Sequence, residues 1–143
     1  MTLPILYYDP TSEPCRAVHW LCLEAKIPCE LKYTWLTKNE HLSKDFLKIN
    51  PFHQVPAMAH GEFCLSEAVA IMQYLTDVNA CSSSWFGNDI KNKATVSQRL
   101  SWYHTNLRKN LTLDYFLPVL LMPAYLGVPK PPARDVAQRR DLL

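Results

Sequence analysis

Five cysteines stand in this chain without any of the patterns that would give them a task. Cys15, Cys22, Cys29, Cys64 and Cys81 include no CxxC pair and no zinc-ligand spacing. An odd count also argues against a disulfide scaffold, so they read as reduced thiols, with Cys22 and Cys64 as small core residues. No charge of one sign dominates: 15 basic residues face 13 acidic ones, which is too balanced for a nucleic-acid binder. The N-terminal MTLPILYYDP has neither a basic leader nor a long apolar stretch, so no signal peptide is expected and the expected location is cytoplasmic. No apolar run is long enough to span a membrane; the longest late one, residues 115–126, is interrupted by Pro118 and Pro123. Internal repeats are absent as well.

What is present is a globular composition, 48% hydrophobic and 20% charged, enough for a real core at this length. The chain is organised around residues 50–75, NPFHQVPAMAHGEFCLSEAVAIMQYL. A polar loop leads to Val55-Pro56, and Ala57-Met58-Ala59 follows as a short strand. His60-Gly61 is a turn signal and Glu62–Leu65 the returning strand. Ser66-Glu67 then begins a helix whose apolar stripe is Ala68, Ile71, Met72 and Leu75. Pro56 cannot donate to a ladder, so it belongs at an edge, at a strand's first residue or in a special turn. A cis bond here would free the Val55 backbone to pair with an extended ligand; an ordinary trans proline is the plainer alternative. The N-terminus of the following helix offers N–H groups to a carboxylate, or is simply capped by Ser66.

Upstream, Ile5–Tyr8 is a buried strand. Ser12-Glu13-Pro14 opens a helix with Val18, Leu21, Cys22 and Ala25 on one face, ended by Ile27-Pro28. Glu30–Trp35 alternates as a second strand, and Lys38–Ile49 reads as a short helix with Leu42, Phe46 and Ile49 inward. Strand–helix–strand followed by a hairpin and a helix predicts one mixed sheet with helices on its faces, the α/β thioredoxin-like plan. Residues 79–88 read as a linker. Beyond them the period is helical: one long helix over 90–115, a second over 116–126 bent at its prolines, an extended stretch, and a short polar tail at 133–143.

With these stretches in hand, the chain resembles a glutathione transferase, most closely the theta class. LYYDPTSEPCRAV (6–18), KNEHLSKDF (38–46), NPFHQVPAM (50–58), LSEAVAIMQYLT (65–76) and WYHTNLRKN (102–110) carry the resemblance, in the family's order and spacing. It implies a thioredoxin-like glutathione-binding domain over 1–78, a linker over 79–88, and part of an all-α C-terminal domain over 89–143. It implies cis Pro56, glutathione as co-substrate with no metal, a homodimer, no nucleic-acid or membrane partner, and a detoxifying attack of the glutathione thiolate on small halides, sulfate esters or peroxides. Ser12 matches the catalytic serine; a plain N-cap is its local alternative. His41, Gln54, Val55, Pro56, Glu67 and Ala68 match glutathione-binding positions, and Thr105 and Arg108 match the second-substrate side.

Three departures stand against the pattern. Ala68 replaces the usual serine at the γ-glutamyl end, Gln54 replaces a lysine, and the chain is shorter than the family, so the helical domain is expected to be truncated. In the family the second substrate sits between the two domains, so a truncated chain is expected to be a weak catalyst and to expose an apolar patch that includes Leu107, Leu111, Phe116 and Leu120. A non-catalytic transferase-like module for dimerisation or protein binding is the alternative function. Cys15 lies three residues after Ser12 like the second position of a redox motif, but with serine first no dithiol mechanism is available there.

Overall fold

The computed structural model of the protein describes residues 2–132 and 135–136. They fall into two compact units, residues 1–89 and 90–143. The tail over 133–143 lies, apart from residues 135–136, outside the described residues.

In the first unit, β1 (Ile5–Tyr8) is followed by α1 (Glu13–Glu24), β2 (Glu30–Tyr33), α2 (Lys44–Leu47), β3 (Ala57–His60), β4 (Phe63–Ser66), α3 (Ala68–Val78) and α4 (Ser82–Phe86). The sheet order is β2-β1-β3-β4. β1 and β2 run parallel, while β1–β3 and β3–β4 are antiparallel. This is the expected mixed sheet of a thioredoxin-like domain, and the Val55-Pro56 bond is cis. Alternation along β1 sends Tyr7 and Tyr8 to opposite faces. The Tyr7 ring meets Phe46 of α2 edge-on at 5.6 Å, and Tyr8 meets His19 of α1 at 5.4 Å. Both tyrosines are buried.

The core gathers Leu6, Met58, Val18, Ile71 and Leu75, each almost wholly removed from water. α1 contributes Cys15, Val18, Leu21 and Cys22, an i, i+3, i+6, i+7 stripe. α3 contributes Ile71 and Leu75, with Ala68 and Met72 half-buried beside them. Burying a Leu- or Ile-sized side chain contributes about 1.5–3 kcal/mol, so this cluster dominates the unit's stability.

Four local expectations are corrected. Residues 38–49 are not one helix: two single 3-10 turns, Leu36–Lys38 and Glu40–Leu42, precede the four-residue α2. Asn39, in the left-handed conformation, and Ser43, whose hydroxyl caps Phe46 N–H at 3.2 Å, divide them. Leu42 consequently points out rather than in, 51% exposed. The hairpin turn is one residue later than read, because His60 pairs with Phe63 and leaves Gly61-Glu62 as the tip. Gly61 takes the positive φ, 63°, that this tip needs. Ser66 does not cap α3; it ends β4, and Glu67 occupies the cap position instead.

The second unit is helical from α5 (Ile90–Trp102) through Tyr103–Leu121 to α6 (Met122–Leu126). The middle segment widens to π-type bonding, and Met122 N–H donates to Leu117 C=O at its end. The expected break near residue 115 is absent: Pro118 sits inside the widened segment and Pro123 in the first turn of α6. Gly127 stops α6 in the left-handed conformation. Leu107, Leu111, Phe116 and Leu120 are 39–47% exposed. No helix of the described residues is long and apolar enough to cross a membrane.

Candidate functional site

The register of the sheet gathers four loops at one end. Tyr8 of β1 pairs with Tyr33, the last residue of parallel β2, so both strands leave by the same end. Tyr7 pairs with Ala57, the first residue of β3, which therefore enters there. Ala57 pairs with Ser66, the last residue of β4, which also leaves there. Ser12 follows β1, the His41 segment follows β2, Gln54-Val55-Pro56 precede β3, and Glu67-Ala68 follow β4. Seven residues from four separate stretches of the sequence thus stand at one rim.

Asp9 builds the first loop. It is fully buried. One carboxylate oxygen accepts from the Thr11 N–H at 2.7 Å and the Thr11 hydroxyl at 2.6 Å, and the other accepts from the Leu36 N–H at 2.8 Å. The Asp9 carbonyl accepts from the Ser12 N–H at 3.1 Å, and Arg16 ties the turn from outside through the Pro10 carbonyl at 2.8 Å. A buried carboxylate is tolerated because three donors meet it. It joins the β1–α1 loop to the β2–α2 loop, and its only sequence signal is the Asp-Pro-Thr turn pattern.

Ser12 occupies the N-cap position of α1 in an extended conformation, φ −78° and ψ 116°. Its side chain caps no backbone N–H of the helix. Burial pushes the Cys15 thiol up, with Ser12 and the Asp9 backbone opposing. Cys15 therefore stays protonated and is no nucleophile. The Tyr8 hydroxyl, at the end of β1 and so the nearest phenol in sequence to Ser12, is also pushed up, first by burial and then by the fields of Cys15 and Tyr33.

The loop before β3 hangs on Asn50, which is 1% exposed. Its Nδ2 donates to the Gln54 carbonyl at 2.7 Å and its Oδ1 accepts from the Phe52 N–H at 3.0 Å. His53 is carried through at φ 57°. Gln54 is exposed, Val55 and Pro56 are buried, and Val55 lies just outside the β1–β3 ladder. Glu67 is exposed with φ 70° and ψ 116°, a strained backbone for a residue with a Cβ, at the N-terminus of α3. Ala68 follows as the first helical residue, half-buried. His41 lies in the second 3-10 turn, and its Nδ1 is buried with no hydrogen-bond partner among the described residues.

Thr105 and Arg108 belong to the second unit. The Thr105 hydroxyl donates back to the carbonyls of Ser101 at 3.2 Å and Trp102 at 3.5 Å. A separate pocket of about 170 Å³ between Tyr7, Lys32, Thr34, Glu40 and Phe46 takes in none of the candidate residues. Among the described residues no cluster of three or more His, Cys, Asp or Glu side chains could hold a metal ion.

Residues 4–77 match the family described as glutathione S-transferase, N-terminal domain. Human glutathione S-transferase theta-1 is 39% identical over 137 residues, covering 96% of this chain and 57% of that protein. The solved apo form of human glutathione-S-transferase T1-1 superposes with a TM-score of 0.87 at 37% identity, over 98% of this chain and 58% of that one. Human glutathione transferase theta-2, solved in complex with glutathione, gives a TM-score of 0.84 at 31% identity, over 97% of this chain and 56% of that one. The chain thus spans a little over half the length of the relatives it matches.

Proposed function

Because the chain belongs to the glutathione S-transferase family, we propose that its first unit binds glutathione along the loop rim of the sheet and that Ser12 stabilises the thiolate for attack on a small electrophile. The observation that carries this reading is the Ser12 hydroxyl, which caps no backbone group of its own helix while standing at the N-terminus of α1. A free thiol ionises near pH 8.5, so little thiolate exists at neutral pH. A donated hydroxyl and the positive end of a helix favour the anion and lower that value.

Each further role follows from where its group stands on the rim. Val55, outside the ladder, offers main-chain N–H and C=O to the cysteinyl part of the tripeptide, in the manner of an added strand beside Pro56. Glu67 and the first N–H groups of α3, starting at Ala68, hold the charged γ-glutamyl end. The strained backbone of Glu67 supports a functional rather than a structural role. Gln54 and the unpartnered Nδ1 of His41 supply further polar contacts. Thr105 and Arg108 are assigned to the electrophile side by the family resemblance. In the reaction, the thiolate sulfur forms a bond to the electrophilic carbon and a halide or sulfate leaves with the bonding pair; with a peroxide, sulfur attacks one oxygen, the O–O bond breaks, and an alkoxide or hydroxide leaves with the bonding pair and takes up a proton from water. Residues 1–78 serve as the glutathione-binding domain, 79–88 as the connection, and 89–143 as part of the helical domain. The reading extends to a cytoplasmic homodimer with a detoxifying role. A calorimetric titration with glutathione, paired with a turnover assay on a small alkyl halide, tests it; a chain that binds no glutathione overturns it.

A second reading is favoured by one observation, the exposed row Leu107, Leu111, Phe116 and Leu120 on the second unit. It makes the chain a dimerisation or protein-binding module without turnover. Sedimentation velocity beside the turnover assay separates the two: an associating but inactive chain favours the module, and a turning-over one the enzyme.

A further inference from the structure

Asp9 is wholly buried where the chain leaves β1. Both carboxylate oxygens accept and neither donates. One takes the Thr11 N–H at 2.7 Å and the Thr11 hydroxyl at 2.6 Å; the other takes the Leu36 N–H at 2.8 Å, 27 positions away. The Asp9 carbonyl takes the Ser12 N–H at 3.1 Å. A surface aspartate makes the same local turn bonds without leaving water, and taking a carboxylate out of water is costly. The bond to Leu36 is the one the turn itself does not need. Beside it, the Trp35 N–H donates to a Glu40 carboxylate oxygen at 2.8 Å, and Glu40 adjoins His41. A bonded path thus runs from Ser12 through Asp9 and Leu36 to the His41 segment. At its start Ser12 holds φ −78° and ψ 116°, its carbonyl accepts from the Arg16 N–H at 3.1 Å, and its side chain caps no backbone N–H. An N-cap serine ordinarily gives its oxygen to an N–H two or three residues on.

We infer that Asp9 is a positioning residue for the thiolate chemistry: its carboxylate, shared between Thr11 and Leu36, fixes Ser12 relative to the His41 segment and so presents the Ser12 hydroxyl to the glutathione sulfur. This rests on the reading of the rim as a glutathione site. Asp9 has no exposed surface, so it touches no ligand and acts through Ser12. A hydrogen bond weakens steeply as its donor swings out of line, so a loosened turn loses the anion's stabilisation even with Ser12 in place. The sign of the effect separates positioning from charge. The field of a carboxylate opposes a second anion, so loss of the Asp9 charge alone lowers the pH at which a bound thiol ionises; loss of positioning raises it. The other titratable groups on the elements around this turn are Tyr8 on β1, Cys15 and Arg16 on α1, Tyr33 on β2, and Glu40 and His41 beyond it. All six are kept in every variant of the test.

The experiment uses the full 143-residue chain saturated with glutathione, and follows the ultraviolet absorbance of the bound thiolate as pH is raised. Asp9→Asn keeps the shape of the side chain but turns an NH2 group toward an N–H donor at one end. Its ionisation midpoint is expected about one pH unit above that of the unmutated chain, equivalent to about ten-fold less thiolate at neutral pH. A merely structural role lowers the denaturation temperature and the folded fraction, and leaves the midpoint of the folded molecules where it was. In a Ser12→Ala background Asp9→Asn is expected to move the midpoint no further, because the group it acts through is gone. If Asp9→Asn does not fold, Thr11 decides. Thr11→Val removes one donor from Asp9 and should raise the midpoint by a smaller amount, while Thr11→Ser keeps that donor and the original midpoint. A midpoint that stays or falls in Asp9→Asn, or a shift that persists in full without Ser12, would overturn the inference. Equal midpoints for Thr11→Val and Thr11→Ser would do the same. An unmutated chain that binds no glutathione would instead overturn the reading of the rim, and this inference with it.

Discussion

The buried Asn50 side chain donates from Nδ2 to the Gln54 carbonyl at 2.7 Å, and so holds the loop that delivers Val55 to the rim. Its Oδ1 receives the Phe52 N–H at 3.0 Å, which leaves both ends of the amide satisfied inside one turn. Asn50→Ala removes both bonds and leaves the Gln54 carbonyl and the Phe52 N–H without these partners. The expected loss of stability is about 2–4 kcal/mol, read as a lowered denaturation midpoint, and glutathione affinity should fall with it. An unchanged midpoint would mean that the loop is held by its other bonds.

Ser12→Ala tests the thiolate assignment. Losing one hydrogen bond to a charged group costs about 1.5–3 kcal/mol, so the conjugation rate should drop by roughly ten-fold or more. Tyr8→Phe is the control, because the Tyr8 phenol is buried on β1 against His19. Equal losses in the two variants would count against Ser12.

Ala68→Ser restores a hydroxyl at the first residue of α3. Glutathione binding should tighten by about ten-fold if that hydroxyl reaches the γ-glutamyl carboxylate. A dissociation constant that does not move would place the γ-glutamyl end elsewhere.

Glu67 is held at φ 70°. Glu67→Gly relieves the strain on a Cβ-bearing residue but adds freedom to the unfolded chain, so stability should change by no more than about 1 kcal/mol in either direction. Glutathione affinity should nevertheless fall, because the carboxylate is gone. A parallel loss of stability and binding would show that Glu67 is structural.

The Cys29 thiol carries a pH prediction. It is held below the ordinary thiol range, chiefly by the influence of Cys22, so its alkylation should reach half-maximal rate at a lower pH than a free thiol's. Cys22→Ala removes that influence, and the midpoint should rise while burial continues to push it upward. Alkylation profiles of peptide 27–32, from a tryptic digest, across neutral to alkaline pH check this; coincident profiles would show that Cys22 has no effect on Cys29.

The elements that were legible in the amino-acid sequence are those whose cause is local. The apolar run Ile5–Tyr8, the Ser-Glu-Pro start of α1 and the Ile71–Leu75 stripe of α3 each depend on near neighbours, and each appears where the pattern put it. The mixed sheet followed from their order, since a strand–helix–strand crossover and a hairpin have few ways to join. The resemblance carried by five short stretches pointed to the family.

Local pattern thus set the main strands and helices, their order and the family, while packing selected which residues meet and added elements such as α4 within the expected linker. Asp9 reaches Leu36 across the sheet's end, a bond between positions 27 apart that no local pattern announces. Asn39 and Ser43 broke the expected helix at 38–49 by capping and backbone reversal, where apolar spacing alone suggested continuity. Glu67 took the cap position from Ser66 because pairing with Ala57 keeps Ser66 in the ladder. Local propensity is a sum over near neighbours; a site is a coincidence of distant backbones, and only the packed sheet supplies it.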